Sequence, residues 1–253
     1  MTWSAKQYST FEDERTRPSR DLVNAIALDH VATAVDLGCG PGNSTEVLAR
    51  RYPSAIISGI DSSEDMIDSA RRRLPQLAFE VADIATWHAP RPLDVILANA
   101  SLQWLPDHGS LYPRLVSQLT EGGCLAIQTP DNLNEPAHRI ARQVATEGAW
   151  ANKIGHVTHP ERHDARWYYS LLQPICSRVD VWQTTYFHPL QNHRALVEWF
   201  KGSALRPFLA PLTPDEQQTF LATYEREMTT AYPALESGRV LLPFPRLFLL
   251  ATR

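Results

Sequence analysis

Short apolar runs alternate with helix-like stretches along the first half of the chain. Runs at 32–37, 55–60, 77–81, 93–98 and 124–128 read as buried strands. Between them, 44–52, 64–73 and 109–119 read as helices. An earlier helix opens at Arg17-Pro18 and carries Leu22, Val23, Ile26 and Leu28 mostly on one side. This alternation predicts an α/β fold with a doubly wound sheet. The pattern changes after about 131. Residues 132–178 hold two helical stretches. A strand is predicted at 179–189, a helix at 192–200, and another helix after Thr213-Pro214-Asp215-Glu216, which has the threonine, proline and acid of a capped start. A last apolar strand covers 245–252. The two late strands are expected to pair antiparallel at the sheet edge. One domain is expected over 1–253, with a polar N-terminal flap at 1–18 and helical cap segments at 132–178 and 190–240.

The chemistry concentrates where the first strand meets its helix. The stretch Val35-Asp36-Leu37-Gly38-Cys39-Gly40-Pro41-Gly42-Asn43-Ser44-Thr45 spaces three glycines two apart. Such a loop lets backbone approach a ligand and aims a helix N-terminus at it, with Ser44 or Thr45 able to cap the helix. A dinucleotide fingerprint needs glycine where Asn43 stands, and a phosphate loop needs a lysine that is missing. Asp36 would repel a pyrophosphate and could hold a cationic group. Asp61, followed by Ser62, ends the second strand about 20 residues past the loop, where an acid can accept both hydroxyls of a ribose; capping the next helix is the alternative. Asp83 follows the third strand and could accept from an adenine amine, with Ile84 packing on the ring. Asn99 follows the fourth strand, in a segment expected to line the reactive end of a ligand. Tyr8 in the flap and Arg17 complete the nominated set. A ribose is common to several nucleotides, so an NAD-dependent oxidoreductase stays open on these residues alone.

Composition narrows the class without naming it. The chain has 253 residues, 43% apolar and 21% charged, with a net charge of −4. That is ordinary for a globular protein and gives no overall attraction to nucleic acid or an anionic membrane. Three cysteines at irregular spacing make neither a disulfide framework nor a zinc pattern. No run reaches the ~18 apolar residues of a membrane span. With no apolar signal core in Met1-Thr2-Trp3-Ser4, a cytoplasmic protein is expected. His156, His159 and His163 are too irregularly spaced for a metal site, and none is expected.

The glycine loop, Asp61, Asp83 and seven strands together resemble the class I S-adenosylmethionine (SAM) methyltransferases. Longer stretches, 36–45, 59–63, 98–107, 205–207 and 244–248, are similar to the bacterial trans-aconitate methyltransferases over nearly the whole chain, most weakly at 148–167. The resemblance implies a Rossmann-like seven-stranded sheet flanked by helices, SAM as methyl donor, and esterification of one carboxylate of a small polycarboxylic acid. A carboxylate is already ionised near neutral pH, so no general base is expected. Several carboxylates must be recognised, which calls for converging donors. Arg206 is the first nominee, with Gln103, Trp104, Tyr168 and Tyr169 around it and Arg166, His188 and Arg246 in reserve; each could instead be structural. Another small-molecule substrate, and a SAM-fold binding protein without transferase activity, are the alternatives.

Overall fold

The computed structural model of the chain describes residues 12–158, 162–202 and 204–253. The nominated Tyr8 and the first eleven residues of the flap lie outside them. In chain order the elements are α1 (Glu12–Ala25), β1 (Thr33–Leu37), α2 (Asn43–Arg51), β2 (Ile56–Asp61), α3 (Glu64–Arg73), β3 (Ala78–Val81), β4 (Leu93–Asn99), a 3-10 turn (Leu102–Trp104), α4 (His108–Ser117) and β5 (Leu119–Pro130). Then come α5 (Pro136–Glu147), α6 (Ala151–Ile154), α7 (Ala165–Leu172), β6 (Arg178–Leu190), α8 (His193–Lys201), α9 (Arg206–Leu209), α10 (Pro214–Ala231) and β7 (Val240–Thr252).

The seven strands form one sheet in the order β3-β2-β1-β4-β5-β7-β6. β1 pairs in parallel with β2 on one side and β4 on the other, Val35 facing Ser58 and Ile96. Strand order therefore reverses between β1 and β4, and ligands of open α/β sheets bind at such a switch point, beyond the carboxyl ends of the strands. β7 runs antiparallel to β5: Gly122 N–H donates to Arg253 O, and Arg253 N–H to Gly123 O, both at 3.0 Å. β6 lies outside β7, so the two late strands do close the sheet edge as expected.

Three boundaries differ from the sequence reading, each for a physical reason. Residues 12–18, expected in the flap, belong to α1, with Pro18 inside the helix. Proline there removes one backbone hydrogen bond, which the buried Leu22, Val23 and Ile26 beyond it outweigh. β5 starts at Leu119 because Gly122-Gly123 makes a bulge rather than a turn: pairing with β4 slips from Leu93–Leu119 to Val95–Cys124. Gly122 takes φ +77°, and a Cβ on Gly123 would sit 3.0 Å from Leu93 O. Third, the expected helical insert 132–178 is divided.

The chain forms two compact units, one from the described residues of 1–130, 161–184 and 247–253, the other from 131–160 and 185–246. α7 belongs to the first, where Tyr168 and Leu172 join a core of Val35, Leu37, Ile96, Leu125 and Leu249. Its Tyr168 face is apolar enough to bury, worth roughly 1.5–3 kcal/mol per large side chain. In the second unit α10 packs on α5 and α8. Phe220, Tyr224 and Met228 of α10 are fully buried, and Tyr224 Oη donates to Ala137 O at 3.1 Å. The expected cap of α10 forms as a full capping box between Thr213 and Glu216. Among the described residues no helix is long and apolar enough to cross a membrane, and no group of histidine, cysteine or acidic residues is placed to hold a metal ion.

Candidate cofactor site

The three loop glycines take φ +71°, +53° and +91° at Gly38, Gly40 and Gly42, a region other residues enter only at a cost. Gly38 and Cys39 N–H both donate to Ile60 O, at 2.8 and 2.9 Å. Gly38 also admits a neighbour: a Cβ there would lie 2.3 Å from Ser101 Cβ. Ser101 Oγ in turn donates to Leu37 O at 2.7 Å. The loop is thus stitched between the end of β2 and the segment after β4. Burial pushes the Cys39 thiol far above its ordinary pKa, so the loop offers no thiolate nucleophile.

Asp36 does not face a ligand as expected. It is fully buried, and its Oδ2 accepts from Ser44 Oγ at 2.6 Å and Thr45 Oγ1 at 2.7 Å. Those hydroxyls therefore do not cap α2; Gly42 occupies the N-cap position. A buried carboxylate needs donors, and the first turn of α2 supplies them. Burial raises the Asp36 pKa to about 6, against the pull of the two hydroxyls and with a further push from Asp61. The sign follows by linkage. An acid held above its unfolded value lowers stability as pH climbs from about 4 to about 6, and its charge carries the full penalty, about 3 kcal/mol, above that. Asp36→Asn is expected to gain about 1 kcal/mol on the wild type between about pH 5 and pH 7.5 in urea unfolding. A constant difference between the two proteins across that range would refute this assignment.

Asp61 does two jobs in the apo fold. Its Oδ2 accepts from Gly40 N–H at 3.0 Å and its Oδ1 from Ser63 N–H at 2.9 Å. Ser63, not Asp61, holds the N-cap position of α3, which has no side-chain capping bond, so the capping alternative does not hold. The Ser63 contact is an Asx turn, and Asp61 also props the glycine loop. A carboxylate has about four lone-pair sites, so two remain. Asp61 lines a cleft of about 350 Å³ together with Gly38, Gly40, Ser62, Asp83, Ile84 and Asn99. Met66, Ser101, Trp104 and Leu105 also line it, and of these only Trp104 was nominated from the sequence. Asp83 Oδ1 accepts from Ala85 N–H at 2.8 Å, an Asx turn that fixes the carboxylate at the rim. Asn99 Oδ1 is buried without a hydrogen-bond partner. The cleft therefore presents carboxylates and an apolar wall, which fit the hydroxyls, amine and ring of an adenosyl group.

A family model described as "Methyltransferase domain" matches residues 34–123. Along the full length, the chain is 52% identical to the trans-aconitate 2-methyltransferase of Methylobacterium nodulans, covering 99% of this chain and 98% of that one. It is 50% identical to that of Variovorax paradoxus, covering 100% and 99%. The chain belongs to the trans-aconitate 2-methyltransferase family. Among solved structures, the YcgJ protein of Bacillus subtilis superposes with a TM-score of 0.61 at 10% identity, covering 94% of this chain and 98% of that one. Haemonchus contortus phosphoethanolamine N-methyltransferase 2 in complex with S-adenosyl-L-methionine gives 0.57 at 13%, covering 94% and 52%. At these identities the likeness is one of fold: the Rossmann-like sheet of the SAM-dependent methyltransferases.

The other nominated residues of this methyltransferase divide between the two units. In the first, Trp104 and Tyr169 are exposed. Gln103 is buried, its Nε2 donating to Ala100 O at 2.7 Å and its Oε1 lacking a hydrogen-bond partner. Tyr168 is a correction: it is buried, and its hydroxyl lies 2.6 Å from His108 Nδ1 instead of lining the cleft. Arg17 is exposed on α1 and Arg166 on α7. In the second unit, Arg206 is half-buried at the start of α9. Arg246 is buried with its guanidinium 4.9 Å from the Phe244 ring, and the buried His188 stacks on Trp199 at 4.8 Å.

Proposed function

We propose that this protein transfers a methyl group from SAM to a carboxylate of trans-aconitate, giving the monomethyl ester and S-adenosylhomocysteine, and that it does so in the cytosol. Full-length identity of 52% with a protein of that name carries the reading, and the cleft at the β1/β4 switch point supports it. Asp61 and Ser62 hold the ribose, Asp83 and Ile84 the adenine, and Asn99 lies beside the amino acid end. Gly38, Gly40 and Gly42 let the loop close on that end, while Asp36 holds the loop's helix in place.

When bound, SAM supplies an electrophilic methyl group on a sulfonium. The protein's own residues need move no proton, because the acceptor carboxylate is ionised near neutral pH. Their work is to hold one carboxylate oxygen in line at about 3 Å and to keep water from solvating it. In the first unit Trp104 and Gln103 form the wall for that step, with Tyr169 beside them and Arg166 in reserve. In the second unit Arg206 is the nominated partner of a carboxylate that does not react, with His188 and Arg246 in reserve. Tyr8, outside the described residues, is a further nominated contact of the cofactor.

Calorimetric titration with S-adenosylhomocysteine, then with trans-aconitate, tests the reading, followed by mass spectrometry of the product. Tight nucleoside binding, saturable acid binding and a monomethyl ester are expected. Nucleoside binding without any response to the acid would leave a methyltransferase of another small molecule. A folded sample that ignores the nucleoside would end the methyltransferase reading.

A further inference from the structure

Helix α4 begins with His108, a buried residue that no motif in the sequence marks out. Its Nε2 lies 2.9 Å from Leu102 O and its Nδ1 2.6 Å from the Tyr168 hydroxyl. The two contacts dictate each other. A carbonyl only accepts, so Nε2 carries the proton. Nδ1 of the neutral ring is then an acceptor, and Tyr168 donates to it. Burial holds the His108 pKa below its ordinary value, and the nearby His163 and Arg162 push the same way, which keeps the ring neutral. Tyr112, also buried, stacks on Tyr168 with ring centroids 4.9 Å apart. Burial pushes the Tyr112 hydroxyl well above its ordinary pKa, so it stays a neutral phenol against that ring. Two donors thus point one way, Tyr168 to His108 and His108 to Leu102 O, with the Tyr112 ring packed behind Tyr168.

The receiving carbonyl belongs to a weak element. The 3-10 turn is three residues long. It closes through Leu105 N–H to Leu102 O at 3.0 Å and Trp104 N–H to Ser101 O at 3.3 Å. It follows Ala100, which sits at φ +54°, a costly conformation for a residue with a Cβ. Short 3-10 turns have little stability of their own. Yet this one carries Gln103, and Trp104 with Leu105 lines the cleft. Something outside the turn must hold it.

We infer that His108 is a positioning residue: with Tyr168 and Tyr112 it locks the Leu102 carbonyl, and so sets Gln103 and Trp104 in the wall against which methyl transfer takes place. It touches no reacting atom and acts through the turn. Because Tyr168 arrives on α7, sixty residues along the chain, the packing of α7 and the shape of the cleft wall are tied together. The kinetic consequence rests on the function proposed above; the structural one does not.

Three full-length variants test it: His108→Phe, His108→Gln and Tyr168→Phe. A glutamine Nε2 can reach the Leu102 carbonyl in place of the imidazole Nε2, whereas phenylalanine cannot. Hydrogen exchange at the Leu105 amide is expected to accelerate about tenfold or more in His108→Phe and to stay within about threefold of wild type in His108→Gln, although both lose thermal stability. Turnover with trans-aconitate should fall roughly tenfold to a hundredfold in His108→Phe, recover largely in His108→Gln, and leave the S-adenosylhomocysteine Kd within about threefold in both. Unchanged exchange in His108→Phe, or a glutamine variant that fails as far as the phenylalanine one in exchange and turnover alike, would overturn the inference. If His108→Phe does not fold, Tyr168→Phe decides: faster exchange at Leu105 supports the chain of donors and unaltered exchange refutes it. Should the wild type show no turnover with trans-aconitate, the substrate reading fails while the exchange measurement still judges His108.

Discussion

Gly38→Ala is expected to remove measurable S-adenosylhomocysteine binding and to destabilise the fold by about 2–5 kcal/mol. Two costs add. A side chain at φ +71° carries the left-handed penalty, about 1–2 kcal/mol. The new Cβ would also sit 2.3 Å from Ser101 Cβ, far inside any tolerable contact. One of the two segments must give way, and both line the cleft. Ser101 cannot simply turn aside, because its hydroxyl is tied to Leu37 O. The double variant Gly38→Ala/Ser101→Gly separates the terms. It removes the atom that the Cβ would strike, so stability should recover by roughly 1–3 kcal/mol relative to the single variant while the left-handed cost stays. Urea unfolding and calorimetry read both. A Gly38→Ala protein with wild-type affinity would show that the loop does not need this close approach.

Asp61→Ala should weaken S-adenosylhomocysteine binding on the order of a hundredfold to ten-thousandfold, since each charge-assisted hydrogen bond is worth about 1.5–3 kcal/mol and a ribose offers two. It should also cost about 2 kcal/mol of stability without any ligand, because Gly40 N–H and Ser63 N–H both lose their acceptor. Asp61→Asn retains one acceptor oxygen and should fall between alanine and wild type in both measurements. The pairing of the two losses is the signature. Weakened binding with unchanged stability would mean that the carboxylate does not prop the loop, and the reverse would place the ribose elsewhere.

These two residues were legible for a simple reason. A positive φ over a close contact selects glycine, and an acid at a strand end next to a glycine loop sits at a fixed place in a doubly wound sheet. The same locality explains elements that were read correctly: the alternating strands and helices up to β4 and the capping box at Thr213. Each depends on residues within about ten positions of one another.

What the amino-acid order determined by itself was therefore the α/β class, its strands, and the glycine loop with Asp61, Asp83 and Asn99 at strand ends, while the strand order and its switch point came from the packed sheet. Tertiary structure decided which polar groups satisfy which. Asp36 reads as a ligand-facing acid until burial draws Ser44 and Thr45 onto it. Tyr168 reads as a substrate contact until its ring enters the core and its hydroxyl meets His108. The segment 132–178 reads as one cap segment until the buried face of α7 assigns its second part to the first unit, while α5 and α6 stay in the second. Buried donors and acceptors must be paired, and partners sixty residues apart leave no trace in spacing or propensity; only the packed chain brings them within 3 Å.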